Sequence, residues 1–378
     1  MDFKLSEEQT MLVDMVRKLA DKEFKPKAAI WDEEERFPWE NVKLLAETGL
    51  LGMSIPEEYG GSGGGIMNVV LTLENIARVC LSTAGIVALH NGVCSRSISH
   101  FGSEDLKKRF LPLMASGQVL AAYAQTEPDA GSDIGNILTK AKDVGDKYII
   151  NGTKSFISNA EEAGLFVAVI RYGDTKGLDG LGSIVVEKGT PGLEIGKREH
   201  KMGFRGTSLS HVIFEDCAVP KENKLVGEGE FLNMLKAFNA ERCGNAALSL
   251  GVAQGALDEA LKYSKERIQF GKLISEFQGI QWMLAEMAIK VDAARLLVYR
   301  AATNAEEGLP SRLETSIAKA YANEIAFDVA NMAVSIHGGY GYLKEYPVER
   351  MLRDSKFPSV GGGTIQIQKN SIAHELLK

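Results

Sequence analysis

The spacing of apolar and polar positions changes twice along the chain, from a helical period to a strand period and back. In the first part, LSEEQTMLVDMVRKLADKEF (5–24) and PWENVKLLAETGLLG (38–52) repeat apolar residues three or four positions apart. This spacing is typical of amphipathic helices that bury one face. We therefore predict a helical domain over residues 1–120.

The middle of the chain has short segments rich in valine and isoleucine, bounded by glycine, aspartate and asparagine. Examples are KYIINGTKSFISNA (147–160), GLFVAVIRYG (164–173) and LGSIVVEKG (181–189). Short β-branched segments at regular spacing predict a compact antiparallel sheet or barrel. We place this β domain at residues 121–228.

From residue 229 to residue 378 the helical period returns. Three of the helical stretches are longer than the usual globular helix and have short connections, which favours an antiparallel bundle. The predicted order along the chain is therefore helical, β, helical, an α+β fold in three domains.

Composition narrows the class of protein further. The 378 residues are 45% hydrophobic and 25% charged with a formal charge of −7, which is ordinary for a globular protein and gives no reason to expect nucleic-acid binding. No apolar run is long enough to span a membrane, and six scattered histidines lack metal-ligand spacing, so no metal is expected. Four cysteines without paired spacing, together with a first helix unlike a targeting peptide, predict a cytoplasmic protein.

One stretch at the junction into the β domain carries candidate chemistry. In AYAQTEPDAGSDIGN (122–136), Thr126, Gly131 and Ser132 offer hydroxyl and backbone N–H donors to a planar ligand with polar edges. Pro128 and Gly131 are also ordinary turn residues, so a well-capped interdomain turn explains the same letters. The residues alone leave both interpretations open.

Five motifs together resemble one family. TEPDAGSD (126–133), INGTKSFISNA (150–160), ERIQFGKLISEFQ (266–278), HGGYGYLKEYPVERMLRD (337–354) and GGGTIQIQ (361–368), in this order and spacing, resemble the acyl-CoA dehydrogenase flavoproteins. The resemblance implies an N-terminal α-helical domain, a middle antiparallel β-barrel and a C-terminal four-helix bundle, usually assembled as a homotetramer. It also implies an FAD cofactor, an acyl-CoA substrate and electron-transferring flavoprotein as electron acceptor.

The resemblance assigns residues to FAD and to coenzyme A. Those that would line the isoalloxazine are Tyr123, Gln125, Thr126, Phe156 and Ser158, with Gly131 beside them and Ser132 between flavin and CoA. Those that match contacts to the FAD of a neighbouring subunit or to its adenosine part are Arg267, Phe270, Gln278, Gly338 and Gly339, while Thr364 and Gln366 would reach FAD from the glycine-rich loop. Two positions depart from the usual pattern: Ser335 stands where glutamine is common, and Phe156 where tryptophan is common.

The family reaction removes a proton from the carbon next to the thioester and passes a hydride from the following carbon to the flavin. In many members the base is a glutamate directly before Gly-Thr, but here that position is Gly362, which cannot be a base. Branches that resemble isovaleryl- and long-chain acyl-CoA dehydrogenases place the carboxylate before an arginine instead. The matching segment here is AFNAERCGNAA (237–247), so we predict Glu241 as the base, with Arg242 supporting CoA.

The glycines then have a separate role in substrate binding. Gly361 and Gly362 would leave room for a branched or cyclic acyl group, and the N–H of residue 362 would donate to the thioester oxygen. Three alternatives stay open: an alicyclic acyl-CoA dehydrogenase whose base comes from the ALHNG segment, where Asn91 stands; an oxygen-using flavin oxidase; and a non-catalytic flavin- or CoA-binding homologue.

Overall fold

The structure is a computed structural model that describes residues 4–304 and 310–378. The first helix begins where the sequence supplies a capping box, because Ser6 accepts from the Gln9 amide and the Gln9 side chain accepts from the Ser6 amide. The N-terminal helices are α1 (Glu7–Leu19), α2 (Ala28–Glu33), α3 (Trp39–Glu47), α4 (Ile66–Ala77), α5 (Leu81–Leu89), α6 (Ser95–Phe101) and α7 (Glu104–Ala115). A π-helical turn, His90–Cys94, joins α5 to α6.

The central part is a sheet of eight strands. They are β1 (Ala121–Ala124), β2 (Lys140–Asp143), β3 (Lys147–Ser158), β4 (Leu165–Tyr172), β5 (Leu181–Glu187), β6 (Leu193–Arg198), β7 (Leu209–Pro220) and β8 (Lys224–Val226). The strand order is β6-β7-β3-β2-β4-β5-β8, and β1 pairs in parallel with β4. The sheet is mixed, since β2 also pairs in parallel with β4.

The predicted closed barrel is not confirmed. Among the described strands, β6 and β8 end the order and do not pair with each other. Strand β8 has only three residues and meets β5 at two positions, so it offers too short a ladder to close the sheet. The coarser prediction, helical parts on either side of a sheet domain, is correct.

The C-terminal part is helical again. It contains α8 (Phe231–Glu266), a hairpin of β9 (Ile268–Gln269) and β10 (Lys272–Leu273), then α9 (Gln278–Thr303), α10 (Arg312–His337), α11 (Pro347–Ser355) and α12 (Ile365–Leu376). Helix α10 packs against α8, α9, α11 and α12. The sequence did not lead us to expect the small hairpin.

Helices from both ends of the chain share one apolar core, which fixes α8 against α4. Val70 and Leu73 of α4 are buried in the same cluster as Ala246 and Ala253 of α8. Gly251 brings the two helices so close that a side chain there would collide with a carbonyl of α4. The N-terminal half of α8 is thereby held at the junction of the three parts. None of the described helices is long and apolar enough to cross a membrane.

Candidate active site

Glu241 lies where all three parts of the chain meet. It is on α8, and a Cβ built on Gly92 of the π-helical turn would lie 3.9 Å from its Cα, Cβ and Cγ atoms. From the sheet, the Tyr123 ring packs edge-on at 5.0 Å from the ring of Phe238, three residues before Glu241. From the C-terminal part, the loop that contains Gly362 closes the same space.

The Glu241 carboxylate occupies the volume that a side chain at position 362 would take. A Cβ built on Gly362 would lie 2.7 Å from Oε2 and 2.8 Å from Oε1 of Glu241, and 3.0 Å from Nζ of Lys319. Gly362 also has φ of +64°, a conformation that favours glycine. The Glu241 carboxylate therefore takes the space next to Gly362, so this glycine by itself does not argue for a branched or cyclic acyl group.

The surroundings of Glu241 disfavour its charged form. Its Oε2 atom is shielded from solvent and has no hydrogen-bond partner among the described residues, although the residue as a whole is half-buried. Burial raises the pKa of Glu241 above its ordinary value of 4.5, and the positive charges of Lys319 and Arg242 oppose that rise in part. A buried carboxyl with a raised pKa is suited to exchange a proton rather than to hold a fixed ion pair.

Lys319 of α10 holds the loop from the other side. Its side chain is fully buried, and its Nζ donates to the carbonyl of Gly361 at 2.5 Å and to that of Gly362 at 2.9 Å. One helical turn later, Asn323 donates to the carbonyl of Pro358 at 2.6 Å. The loop carbonyls therefore face α10.

Sequence reasoning missed Lys319. Burial lowers its pKa to about 8, against the opposing effect of the Glu241 charge. A signal was present, since this lysine is the only charged residue in the stretch TSIAKAYAN (315–323), where small and apolar positions predict a buried helix.

Arg242 does not hydrogen-bond Glu241. Its Nη1 instead donates to Oδ1 of Asn239, three residues earlier on α8, at 3.1 Å. Its Nε is buried and has no partner among the described residues. A buried donor without a partner is unusual in a folded protein, and the contact of Arg242 with CoA stays a prediction.

Asn91, the alternative position for a base, is tied to a structural role. It is fully buried, and its Oδ1 accepts from the amide of Ser54 at 3.0 Å and from the hydroxyl of Ser54 at 3.1 Å. Its Nδ2 donates to the carbonyl of Leu50 at 2.9 Å. An amide cannot accept a proton at neutral pH, and this one is committed to the loop that follows α3.

The two segments predicted to line the flavin lie side by side. The amide of Ser155 donates to the carbonyl of Thr126 at 2.7 Å, and Nζ of Lys154 donates to the carbonyl of Gln125 at 3.1 Å. Tyr123 directs its hydroxyl to Gln125 at 3.1 Å. The residues after β1 and those at the end of β3, where Ser158 lies, therefore form one surface.

Phe156 stands out from this surface. The pairing of β3 with β7 shifts register between Lys154 and Ile157, and Phe156 has φ of +57°. This bulge leaves its ring 59% exposed. A left-handed backbone is costly for an aromatic residue, and bulges beside functional sites re-aim side chains in this way. Gly131 and Ser132 are exposed on the loop beyond the Glu127–Ala130 bridge.

A second group of predicted cofactor residues lies in the C-terminal part. The Arg267 guanidinium sits 5.2 Å from the centre of the Tyr340 ring, next to Gly338 and Gly339, whose Cβ positions face open space. Phe270 is 94% exposed at the tip of the β9–β10 hairpin. Gln278 is exposed at the start of α9. Within the described ranges, no hydrogen bond or ring contact connects this group to Phe156.

The remaining predicted contacts are partly used inside the chain. The Ser335 hydroxyl donates to the carbonyl of Asn331 in its own helix. Thr364 caps α12, because its Oγ1 accepts from the amide of Ile367 at 3.3 Å, and Gln366 is exposed in the first turn of that helix. Thr364 still has a hydroxyl proton to donate.

Comparison with known proteins identifies the family. Family models for the N-terminal, middle and C-terminal domains of acyl-CoA dehydrogenase match residues 6–118, 122–217 and 231–377. The chain belongs to the acyl-CoA dehydrogenase family. The prediction of a flavin-dependent acyl-CoA dehydrogenase, an oxidoreductase acting on a CH–CH bond, is thereby confirmed.

Individual acyl-CoA dehydrogenase relatives match over nearly the whole chain. A short-chain-specific acyl-CoA dehydrogenase of Clostridium acetobutylicum is 42% identical, with 100% of both chains covered. The CarC subunit of the caffeyl-CoA reductase-Etf complex of Acetobacterium woodii is 42% identical, with 99% of both covered. The solved structure of butyryl-CoA dehydrogenase from Megasphaera elsdenii is 35% identical over 100% of both chains, with a TM-score of 0.97.

Two observations test whether the residues present fit the flavin that acyl-CoA dehydrogenases use. Phe156 turns an exposed ring outward beside the polar atoms of the segment around Thr126, which suits a planar ring system with polar edges. Gly338 and Gly339 leave bare backbone open near the Arg267 guanidinium, which suits a dinucleotide pyrophosphate and its adenosine. The residues fit such a group.

Proposed function

We propose that this enzyme removes the α-proton of an acyl-CoA thioester with Glu241. The observation that carries the proposal is the placement of the Glu241 carboxylate, which lies within 2.8 Å of where a side chain at Gly362 would begin. Some family members carry the catalytic glutamate on the terminal loop, at the position of Gly362. In this chain Glu241 brings a carboxylate into the same space from α8. The buried and unpaired Oε2 atom also argues against a non-catalytic homologue, since an orphaned buried carboxylate is costly unless it is used.

The proton step follows from the environment of the carboxyl. Burial raises the pKa of Glu241, which brings its basicity closer to that of a weak carbon acid and improves proton transfer. The Gly362 amide makes no backbone hydrogen bond in the described part of the chain and can donate to the thioester oxygen as negative charge develops there.

FAD is the proposed cofactor. Its flavin would lie against Tyr123, Gln125, Thr126, Phe156 and Ser158, with Gly131, Ser132, Thr364 and Gln366 at the edges. When bound, FAD would supply the hydride acceptor for the β-carbon of the substrate. Phe156 would stack on the ring system, and Thr126 would supply polar contacts at its edge.

The CoA part and the acyl part of the substrate are held by different groups. Arg242, with its buried unpartnered Nε, and Ser132 would contact the CoA portion. The chain length and branching of the acyl group stay open, because the space at Gly361 and Gly362 no longer argues for a branched or cyclic chain. The Cβ position of Gly361 lies 3.2 Å from the Phe357 ring, so that side is closed as well.

A homotetramer is the proposed assembly, with FAD shared between subunits. Trp282, Ile289 and Leu296 recur at seven-residue spacing on α9 and are 65%, 69% and 44% exposed. An exposed apolar stripe of this kind marks an interface, and a second copy of the chain would cover it. Arg267, Phe270, Gln278, Ser335, Gly338 and Gly339 would then reach the neighbour's FAD. Dilution that yields stable, FAD-loaded monomers would contradict this assembly.

Electron-transferring flavoprotein is the proposed redox partner. The cytoplasm is the proposed location, in keeping with four buried free thiols.

A second candidate function is the reverse reaction, reduction of a 2-enoyl-CoA, because the Acetobacterium woodii relative is named as a reductase in a complex with Etf. In that direction the protonated Glu241 would deliver a proton to the α-carbon. The raised pKa of Glu241 serves both directions.

Anaerobic bleaching of the flavin by a panel of straight, branched and alicyclic CoA thioesters tests the proposal. We expect at least one saturated thioester to bleach the yellow protein, and electron-transferring flavoprotein to restore its colour. A yellow protein that no acyl-CoA bleaches would refute the dehydrogenase direction. Reoxidation of the dithionite-reduced protein by a 2-enoyl-CoA would then support the reductase candidate. Rapid peroxide formation in air would instead indicate an oxidase.

A further inference from the structure

We infer that Lys319 is a positioning residue for this site, one that orients the Gly362 amide and places a positive charge beside the Glu241 carboxylate. This inference rests on the proposed function. Lys319 is far from Gly362 in sequence, and no cofactor or substrate contact was predicted for it.

The orientation of the amide follows from peptide geometry. Lys319 holds the carbonyl of Gly361 at 2.5 Å, and in a trans peptide the carbonyl of one residue points opposite to the N–H of the next. The described part of the chain has no cis peptide bond. The Gly362 N–H must therefore point away from α10. It donates to no backbone acceptor in that part, so it remains free for a ligand oxygen.

Support of the loop does not by itself require a cation. Asn323, one turn along the same helix face, holds the carbonyl of Pro358 at 2.6 Å with a neutral amide. Burying a lysine on two carbonyls is costly compared with a neutral donor. The charge has a use at Glu241, since Nζ of Lys319 and the Glu241 carboxylate both lie within 3.0 Å of the position of a Cβ on Gly362.

Other charged or titratable groups face this carboxyl from the neighbouring elements. Arg242 lies on the same helix and interacts electrostatically with Arg312 of α10. Tyr123 of β1 interacts electrostatically with Glu241 and with Cys94 of the π-helical turn. When a neutral side chain replaces Lys319, Arg242 is left as the cation that lowers the pKa of Glu241. The half-maximal point of a rate that needs ionised Glu241 should then move to higher pH.

The first experiment isolates the amide. In the FAD-loaded Glu241→Gln variant, a 3-ketoacyl-CoA can lose its acidic α-proton to solvent, and the bound enolate is detected by long-wavelength charge-transfer absorbance with oxidised flavin. We expect Lys319→Met in this background to weaken enolate binding by up to about 100-fold, because removal of an oxyanion donor costs about 10²–10³ and this substitution only misplaces the donor. Lys319→Gln, which keeps an N–H donor, should lose less. Lys140→Met, at an exposed ion pair with Asp174, is the matched control and should lose nothing.

The second experiment isolates the charge. In the otherwise wild-type enzyme, Lys319→Gln and Lys319→Met should both shift the kcat–pH profile to higher pH, whereas Lys319→Arg should keep the wild-type midpoint. KM should change less than kcat. If Lys319→Met fails to fold, the Gln and Arg variants carry the comparison.

Each result bears on a separate claim. Unchanged enolate affinity in both neutral variants, with an unchanged pH midpoint, would overturn the role of Lys319. Normal turnover by Glu241→Gln would instead overturn the proposed base, and the enolate data would still decide the role of Lys319.

Discussion

Two glutamates of this enzyme each have a buried carboxylate oxygen near a buried lysine, but their hydrogen bonding is opposite. In the sheet domain, Glu127 accepts from Nζ of Lys154 at 2.7 Å and from the amides of Leu138 and Thr139 at 2.6 and 2.9 Å. At the junction of the domains, Glu241 has a buried oxygen without any partner in the described ranges, and Lys319 donates to loop carbonyls instead.

The electrostatics follow the hydrogen bonds. Burial would raise the pKa of Glu127, but the Lys154 charge and the hydrogen bonds outweigh it, and the pKa is lowered. For Glu241 burial prevails, and the pKa is raised. Burial lowers the pKa of both lysines to about 8. The number of donors given to a carboxylate therefore separates the structural glutamate from the one poised to carry a proton.

Replacement of Glu241 should have the largest effect on activity. In Glu241→Gln we expect kcat to fall about 10³-fold, because the amide has the same shape and cannot accept the proton. FAD content, read from the flavin spectrum, should stay at the wild-type level. If Glu241→Gln turned over within tenfold of wild type, Glu241 would not be the catalytic glutamate.

Replacement of Glu127 should have the largest effect on stability. Glu127→Gln leaves Lys154 buried without a counter-charge, and we expect the free energy of unfolding in urea to fall by about 3–5 kcal/mol. The exposed Glu194 of β6 offers a matched control, since Glu194→Gln should change it by less than about 0.5 kcal/mol. Glu241→Gln should cost much less than Glu127→Gln, because Lys319 keeps its hydrogen bonds to the Gly361 and Gly362 carbonyls. A larger loss of stability in Glu241→Gln than in Glu127→Gln would reverse our assignment of roles.

The pH dependence of stability gives the smallest and most specific contrast. The folded pKa of Glu127 lies below 4.5, so its contribution is present above that pH and is lost as pH falls. The folded pKa of Glu241 lies above 4.5, so its contribution is present below that pH and is lost as pH rises. As pH rises above 4.5, Glu241→Gln should therefore gain stability relative to wild type, by about 1.4 kcal/mol for each unit by which folding raises the pKa of Glu241. If the free energies of unfolding of wild type and Glu241→Gln changed in parallel with pH, the raised pKa of Glu241 would be contradicted.

The sequence predicted the outline of the fold because helical and strand periods survive in the local pattern. The long helices α8, α9 and α10 lie in the predicted stretches, and the β-branched segments from residue 147 onward form strands β3, β4 and β5. Strands β1 (AAYA) and β2 (KAKD) contain no β-branched residue, so that pattern did not reveal them. Barrel closure was not predictable in this way. It depends on pairing between distant edges, and β8 turned out to be too short.

The candidate site, like the fold, could be predicted from the sequence only in part. Glu241 was predicted from a motif, but the finding that its carboxylate fills the space of Gly362 needs the packing of α8 against a loop more than a hundred residues away. Lys319 was missed because a lone lysine on a helix is usually exposed, and only the fold shows that it is buried. Asn91 lay in the right region, yet its side chain is committed to Ser54 and Leu50.

Exchange of α-hydrogen with D2O tests the central claim most directly. An acyl-CoA analogue with sulfur at the β position can lose its α-proton but has no β-hydride to transfer, so its deuterium uptake reports the base alone. At equal FAD content, we predict that wild type exchanges this hydrogen and that Glu241→Gln does so about 10³-fold more slowly. Equal exchange rates in the two proteins would show that another group removes the proton.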